Sequence, residues 1–135
     1  MALLDWTRVK PLVNKNAIAE FEAKYAVSLP EDFKKCIVEN NAGRPRPNAI
    51  LSKDGNEFDV KVLLSYNKND IENIYKVIDY FITNFKGKLL PFASDSAGNY
   101  YCFNNESVVL WTQENEIVSI CNSFADFARN LYESK

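Results

Sequence analysis

The hydrophobic patterning of the chain predicts an α+β domain: an antiparallel, meander-containing sheet with N-terminal, middle and C-terminal helices packed against it. Three observations predict it. Apolar residues recur at helical spacing in two N-terminal stretches, one middle stretch and one C-terminal stretch. Between the middle and last of these, strand-like runs follow one another across short polar turns, which join antiparallel neighbours and are too short for parallel crossovers. Finally, 135 residues that are 47% apolar, with nine Phe, seven Tyr and two Trp, can bury one real core, so residues 1–135 are expected to form a single domain.

Each element has its own signal. Trp6 and Val9 precede Pro11, with Trp6 expected as a lid on the core; Ala17, Ile18, Phe21 and Tyr25 then mark one face of a helix from about Asn14 to Tyr25. Leu29-Pro30-Glu31-Asp32-Phe33 reads as a second helix start, because Pro30 suits the first helical position and two acids complement the dipole. Phe33, Cys36 and Ile37 line its inner side, and Asn40-Asn41-Ala42-Gly43 ends it, since Asn and Gly tolerate the left-handed conformation. Gly43 to Asn56 reads as a loop with at most a short strand at Ala49 to Leu51. Phe58 to Tyr66 reads as one strand, with Phe58, Val60, Val62 and Leu64 inward.

Asp70 is expected to cap a third helix carrying the stripe Ile71, Ile74, Val77, Ile78, Phe81 and Phe85 and ending near Gly87. Leu89 to Phe103 reads as a hairpin around Asp95-Ser96-Ala97-Gly98-Asn99, with Gly98 supplying the positive φ of the return. Val108 to Thr112 and Glu116 to Cys121 extend the meander. Ser123, three residues before Asp126, caps a last helix that turns Phe124, Phe127, Ala128 and Leu131 inward.

Composition narrows the function. Net charge is −2 with no run of like charges, which argues against a nucleic-acid footprint or a polybasic membrane patch. No charged leader and no spanning apolar run is evident, so a soluble, cytoplasmic protein is expected. Cys36, Cys102 and Cys121 lie in separate apolar segments and read as buried free thiols. The absence of histidine removes the usual general base and the commonest zinc ligand. Asp59-Val60-Lys61, with Asp54 and Glu57 before it, has the acid-x-Lys form of a metal-dependent nuclease strand, but the same alternation places Asp59 and Lys61 on a solvent face. No spacing pairs two of Glu22, Asp95, Glu106 and Glu114 as acid and base, and no glycine-rich phosphate loop is present. No catalytic residue, metal ligand or cofactor is therefore assigned, and a binding module is expected.

The ordered motifs Trp6, Ile18 with Phe21-Glu22, Leu29 to Phe33, Asn40 to Gly43 with Pro45, Leu90-Pro91-Phe92-Ala93, Asp95, Gly98-Asn99, Tyr100-Tyr101-Cys102 and Ser123 to Phe127 with Leu131 resemble the SUKH superfamily. They look most like its branch related to the fungal cell-wall-assembly regulator. Ala42 departs from that pattern, standing where a glycine is frequent. The resemblance implies an α+β fold and, for small bacterial members, an immunity protein that neutralises the toxic domain, often a nuclease, of a polymorphic toxin. The implied partner is a cognate toxin protein encoded by a neighbouring gene; neither nucleic acid nor membrane is an expected direct partner. A regulatory scaffold and a small-molecule binder using a cleft near the Leu89 to Phe103 hairpin are the competing readings.

A toxin that handles nucleic acid has a basic working face, so the expected contacts are acids in loops and at strand edges: Asp54, Glu57, Asp59, Asp95, Glu106, Glu114 and Glu116. Asn99 joins Asp95 in the hairpin turn, where both first read as turn caps. Tyr66, Tyr101 and Trp111 are the aromatic candidates, as interface anchors or as core.

Overall fold

The computed structural model describes residues 4–134. Strand β1 (Asp5–Thr7) leads to helices α1 (Ala17–Tyr25) and α2 (Glu31–Asn40). The short strands β2 (Arg44–Arg46), β3 (Ala49–Leu51), β4 (Glu57–Asp59) and β5 (Val62–Leu63) follow, then a 3-10 turn (Ile74–Lys76) and helix α3 (Ile78–Phe85). Strands β6 (Leu90–Ser94), β7 (Tyr100–Asn104), β8 (Ser107–Trp111) and β9 (Ile117–Cys121) precede helix α4 (Phe124–Arg129). The fold is α+β, and its centre is an antiparallel five-stranded sheet in sequence order β5-β6-β7-β8-β9.

Helices cover both faces of this sheet, and strand alternation shows which residues go where. Tyr101 and Phe103 of β7, with Val108 and Leu110 of β8, join the larger core with Phe21, Phe33, Ile37, Phe124 and Phe127 from α1, α2 and α4. The alternate residues Cys102, Val109 and Trp111 pack on the other face with Phe81 and Phe85 of α3. All five residues of β6 are consequently buried. Phe33 is the hub of the larger core: its ring centroid lies 5.6 Å from that of Phe92, 5.1 Å from Phe103 and 5.3 Å from Phe124, all edge-on.

Two small ribbons flank the sheet. The β1–β2 ribbon sits at the β5 edge, where the Leu63 amide donates to the Gly43 carbonyl at 2.9 Å. The β3–β4 ribbon reaches the β9 edge, where the Lys53 amide donates to the Ser119 carbonyl at 2.9 Å.

Several local expectations give way to tertiary pairing. Phe58 to Tyr66 is not one strand: the Val60 amide donates to Asn48 and the Lys61 amide to Ser94, so the segment leaves one sheet and enters another. Leu63 and Ser65, on the expected outer face, are fully buried. The third helix does not start at Asp70. Ser65 donates its amide to the Glu72 carbonyl and accepts from the Ile74 amide in a parallel bridge that keeps the chain extended there. Asp70 instead accepts hydrogen bonds from Ser65 and Asn67, the cap falls to Asn73 on the 3-10 turn, and Ile71 is 78% exposed.

Pro30 stands one residue ahead of α2, and β1 and β2 form where no strands are expected. The left-handed residue after α2 is Ala42, with φ 63°, not Gly43. Gly43 is needed for closeness: a Cβ there would stand 2.8 Å from the Asn40 carbonyl oxygen and 3.1 Å from Trp6 Cβ. Gly98 does adopt positive φ, at 85°, and Ser123 does cap α4, accepting from the Asp126 amide at 3.1 Å.

Candidate binding surface

A meander places alternate turns at the same end of its sheet, so the β6–β7 turn and the β8–β9 turn are neighbours. Asp95 builds the first as an Asx turn: one carboxylate oxygen accepts the amides of Ala97 at 2.9 Å and Asn99 at 2.8 Å, and the other accepts the Asn99 side-chain amide at 2.9 Å. Asn99 then accepts the Gln113 amide at 3.0 Å, and Gln113 donates its side-chain amide to Gly98, locking the two turns together. In the second turn, the Trp111 indole N–H donates to Asn115 at 2.9 Å.

Of the residues singled out from sequence, Asp59, Asp95, Asn99, Tyr101, Trp111 and Glu114 gather at this end. Asp59 accepts from the amide and hydroxyl of Ser96, while Tyr101, fully buried, donates its hydroxyl to the Asp59 carbonyl at 2.8 Å. Asp95 is 4% exposed, so both it and Tyr101 hold the turn from inside. Trp111 and Tyr66 are buried as well. Glu114 and Glu116 are exposed on the second turn.

The remaining acids lie elsewhere. Glu106 is exposed in the β7–β8 turn at the opposite end of the sheet, and Asp54 occupies the β3–β4 turn, accepting from Ser52 and Asn56. Glu57 accepts from the hydroxyls of Tyr132 and Ser134 near the C-terminus, which hold its carboxyl below the ordinary value. Asp59 and Lys61 diverge: Asp59 serves the Ser96 turn, and Lys61 pairs with Glu72 at 2.8 Å.

The exposed anchors of this end come from positions that sequence reading passed over. Directly opposed residues of antiparallel strands point to the same face, so the pairs Tyr100 with Trp111 and Trp111 with Ile117 form a row across β7, β8 and β9. Tyr80 of α3 covers the row at Trp111, with ring centroids 5.4 Å apart, and stops short of β9. Tyr80 therefore remains 47% exposed and Ile117 53% exposed, joined by the buried Trp111 into an aromatic and aliphatic shelf beside Glu114 and Glu116. Tyr80 falls outside the apolar stripe of its helix, and only the cross-strand register identifies Ile117.

Cys102 and Cys121 are buried free thiols, whereas Cys36, expected to be buried, is half-buried on α2. Burial pushes Cys36 and Cys121 up to about 11 and raises Cys102 well above its ordinary value, which keeps all three protonated at neutral pH. Among the described residues, no group of three or more Cys, Asp or Glu stands together as a metal site. A surface depression of about 650 Å³ is open and lined by residues that include Tyr25, Val27, Ile82, Leu90 and Phe103, with Lys86 as its charged residue. No helix among the described residues is long and apolar enough to cross a membrane.

Comparison with known proteins bears on this geometry. The SPbeta prophage-derived uncharacterized protein YokK of Bacillus subtilis (strain 168) is 26% identical over 148 aligned positions, spanning 91% of this chain and 77% of the relative. No solved structure matches the chain. The sequence profile of the SMI1 / KNR4 family (SUKH-1) matches residues 12–130, from the segment before α1 to the end of α4, and the chain belongs to that family.

Proposed function

We propose that the protein is an immunity protein: it binds a cognate toxin domain and covers its working face, with no chemistry of its own. Membership of the SUKH group supports the class, and the prophage origin of one relative fits a role in conflict between genomes. The observation that carries the surface is the shelf of Tyr80, Trp111 and Ile117 beside Glu114 and Glu116. Large aromatics set on a rigid sheet dominate interface energy, and nearby carboxylates speed encounter with a basic partner, as the substrate face of a nuclease must be. The hydrogen-bonded turns at Asp95, Asn99 and Gln113 fix this end before binding, so little ordering entropy is lost on contact.

The test is co-expression with the toxin encoded by the neighbouring gene, read as growth rescue and as affinity for the purified toxin domain. Wild type should rescue growth. Ile117→Lys should weaken binding about tenfold with an unchanged melting temperature, and Tyr80→Ala combined with it about a hundredfold, or roughly 2.7 kcal/mol, with a modest fall in melting temperature because Tyr80 also packs on Phe81 and Trp111. Glu114→Lys with Glu116→Lys should slow association and flatten its salt dependence. Full rescue by the Tyr80 and Ile117 variant would remove this surface, and failure of wild type to bind or neutralise the toxin at micromolar concentration would remove the immunity reading.

A further inference from the structure

The β5 edge carries a second surface of opposite sign. Arg8, Lys10 and Arg44 line one pocket of about 180 Å³ together with Ala42, Val62, Asp70, Ile71 and Glu72. The fold fixes the backbone of each cation. Arg44 is paired with Thr7 in the β1–β2 ribbon, and the Thr7 hydroxyl donates to the Arg44 carbonyl at 3.1 Å. The Lys10 amide donates to the Asn41 carbonyl at 2.9 Å, and the side-chain amide of buried Asn41 donates back to the Lys10 carbonyl at 2.9 Å. Arg8 lies between them at φ 55° and, among the described non-glycine residues with positive φ, is the one that neither follows a helix nor closes a hairpin. Unusual backbone of that kind collects at binding sites.

The two acids of the pocket do not neutralise these cations. Glu72 is paired with Lys61 at 2.8 Å and accepts from Ser94, while Asp70 accepts from Ser65 and Asn67. Among the described residues, Arg8, Lys10 and Arg44 take part in no ion pair. Beside them Ile71 stands 78% exposed, the large apolar side chain displaced from α3 by the parallel bridge at Ser65.

We infer that this pocket docks an acidic segment of a protein partner, with Asp or Glu side chains on Arg8, Lys10 and Arg44 and a neighbouring apolar side chain on Ile71. Charge complementarity commits the occupant to an anion, and two observations favour a peptide over a nucleic acid. The pocket is small, and Asp70 and Glu72 interrupt its basic lining, so it offers seats for separate carboxylates and no continuous basic track for a phosphate backbone. An exposed isoleucine suits a side chain rather than a sugar-phosphate chain. This site lies at the β5 edge, whereas the Tyr80 and Ile117 shelf borders β9, so the two stand or fall separately.

The experiment uses the full chain and fluorescence anisotropy with a labelled peptide alternating Glu, Asp and Leu. Wild type should bind at low ionic strength and release as salt rises. Arg8→Glu with Arg44→Glu should lower affinity at least about tenfold, and Lys53→Glu, a single charge reversal in the β3–β4 turn at the β9 edge, should lower it less than about twofold. Lys10→Glu, at an exposed position, guards against misfolding of the double variant and should lower affinity about threefold with an unchanged melting temperature. The inference is overturned if wild type does not bind the peptide or if Lys10→Glu binds as wild type does. It is also overturned if inorganic phosphate or a single-stranded oligonucleotide displaces the peptide at equal charge concentration.

Discussion

Asp95 shows how one side chain can look functional in sequence and act structurally in the fold. Its two oxygens take three N–H groups of its own turn, and it is almost wholly enclosed. Asp95→Ala leaves those donors without their partner and should cost about 1–3 kcal/mol in urea unfolding. Because Asn99 passes the constraint on to Gln113, the same variant should also weaken toxin binding indirectly by loosening the turn that carries Glu114. Asn41 is the counterpart at the other edge. Within the motif Asn40 to Gly43 the sequence marks only a helix end, yet the Asn41 side chain accepts from the Tyr66 amide and donates to Lys10 and Ser65, joining three segments remote in sequence.

At the scale of elements, the decisive junction is the one between α2 and β2. Helix α2 must end abruptly so that β2 can turn back beside β1, and the two backbones meet at Gly43 under Trp6. Gly43→Ala should destabilise by about 1–3 kcal/mol in thermal or chemical melts, since the new methyl would press on the Asn40 carbonyl, which is backbone and cannot swing away. Gly55→Ala is the comparison: a Cβ there meets nothing, so only its positive φ is strained. Helix α3 teaches a related lesson. Its residues Ile78, Phe81 and Phe85 follow the periodic stripe, but Ile71 and Ile74 obey the same period and lie outside the helix, because the Ser65 bridge holds that backbone extended.

For the whole molecule, the buried ionisable groups predict how stability changes with pH. Cys36 and Cys121 ionise at about 11 in the folded state against an ordinary value of 9.0, so between these limits the unfolded chain has lost protons that the folded chain keeps. Stability is therefore fully present below pH 9 and falls as pH rises toward 11. Burial raises Tyr66 and Tyr101 higher still and carries the loss onward. A melting-temperature series from pH 8 to about pH 11 should decline, and Cys36→Ala should flatten part of the slope. A flat series would show that these thiols are reachable by water in the folded state.

Read without any fold, the chain determined its class, its meander, the capped last helix and the aromatic core, because each rests on patterns a few residues long: strand alternation, helical spacing, a Gly in a tight return and a Ser three residues before an Asp. The candidate surface was legible in its turn residues, Asp95, Asn99, Glu114 and Glu116, and in Trp111. Its exposed anchors depend on where α3 stops across the sheet, and the basic pocket of Arg8, Lys10 and Arg44 depends on a ribbon that joins positions more than thirty residues apart. Only the tertiary structure decided these, since pairing between distant backbone segments outweighs local periodicity and sets which side chains are left at the surface.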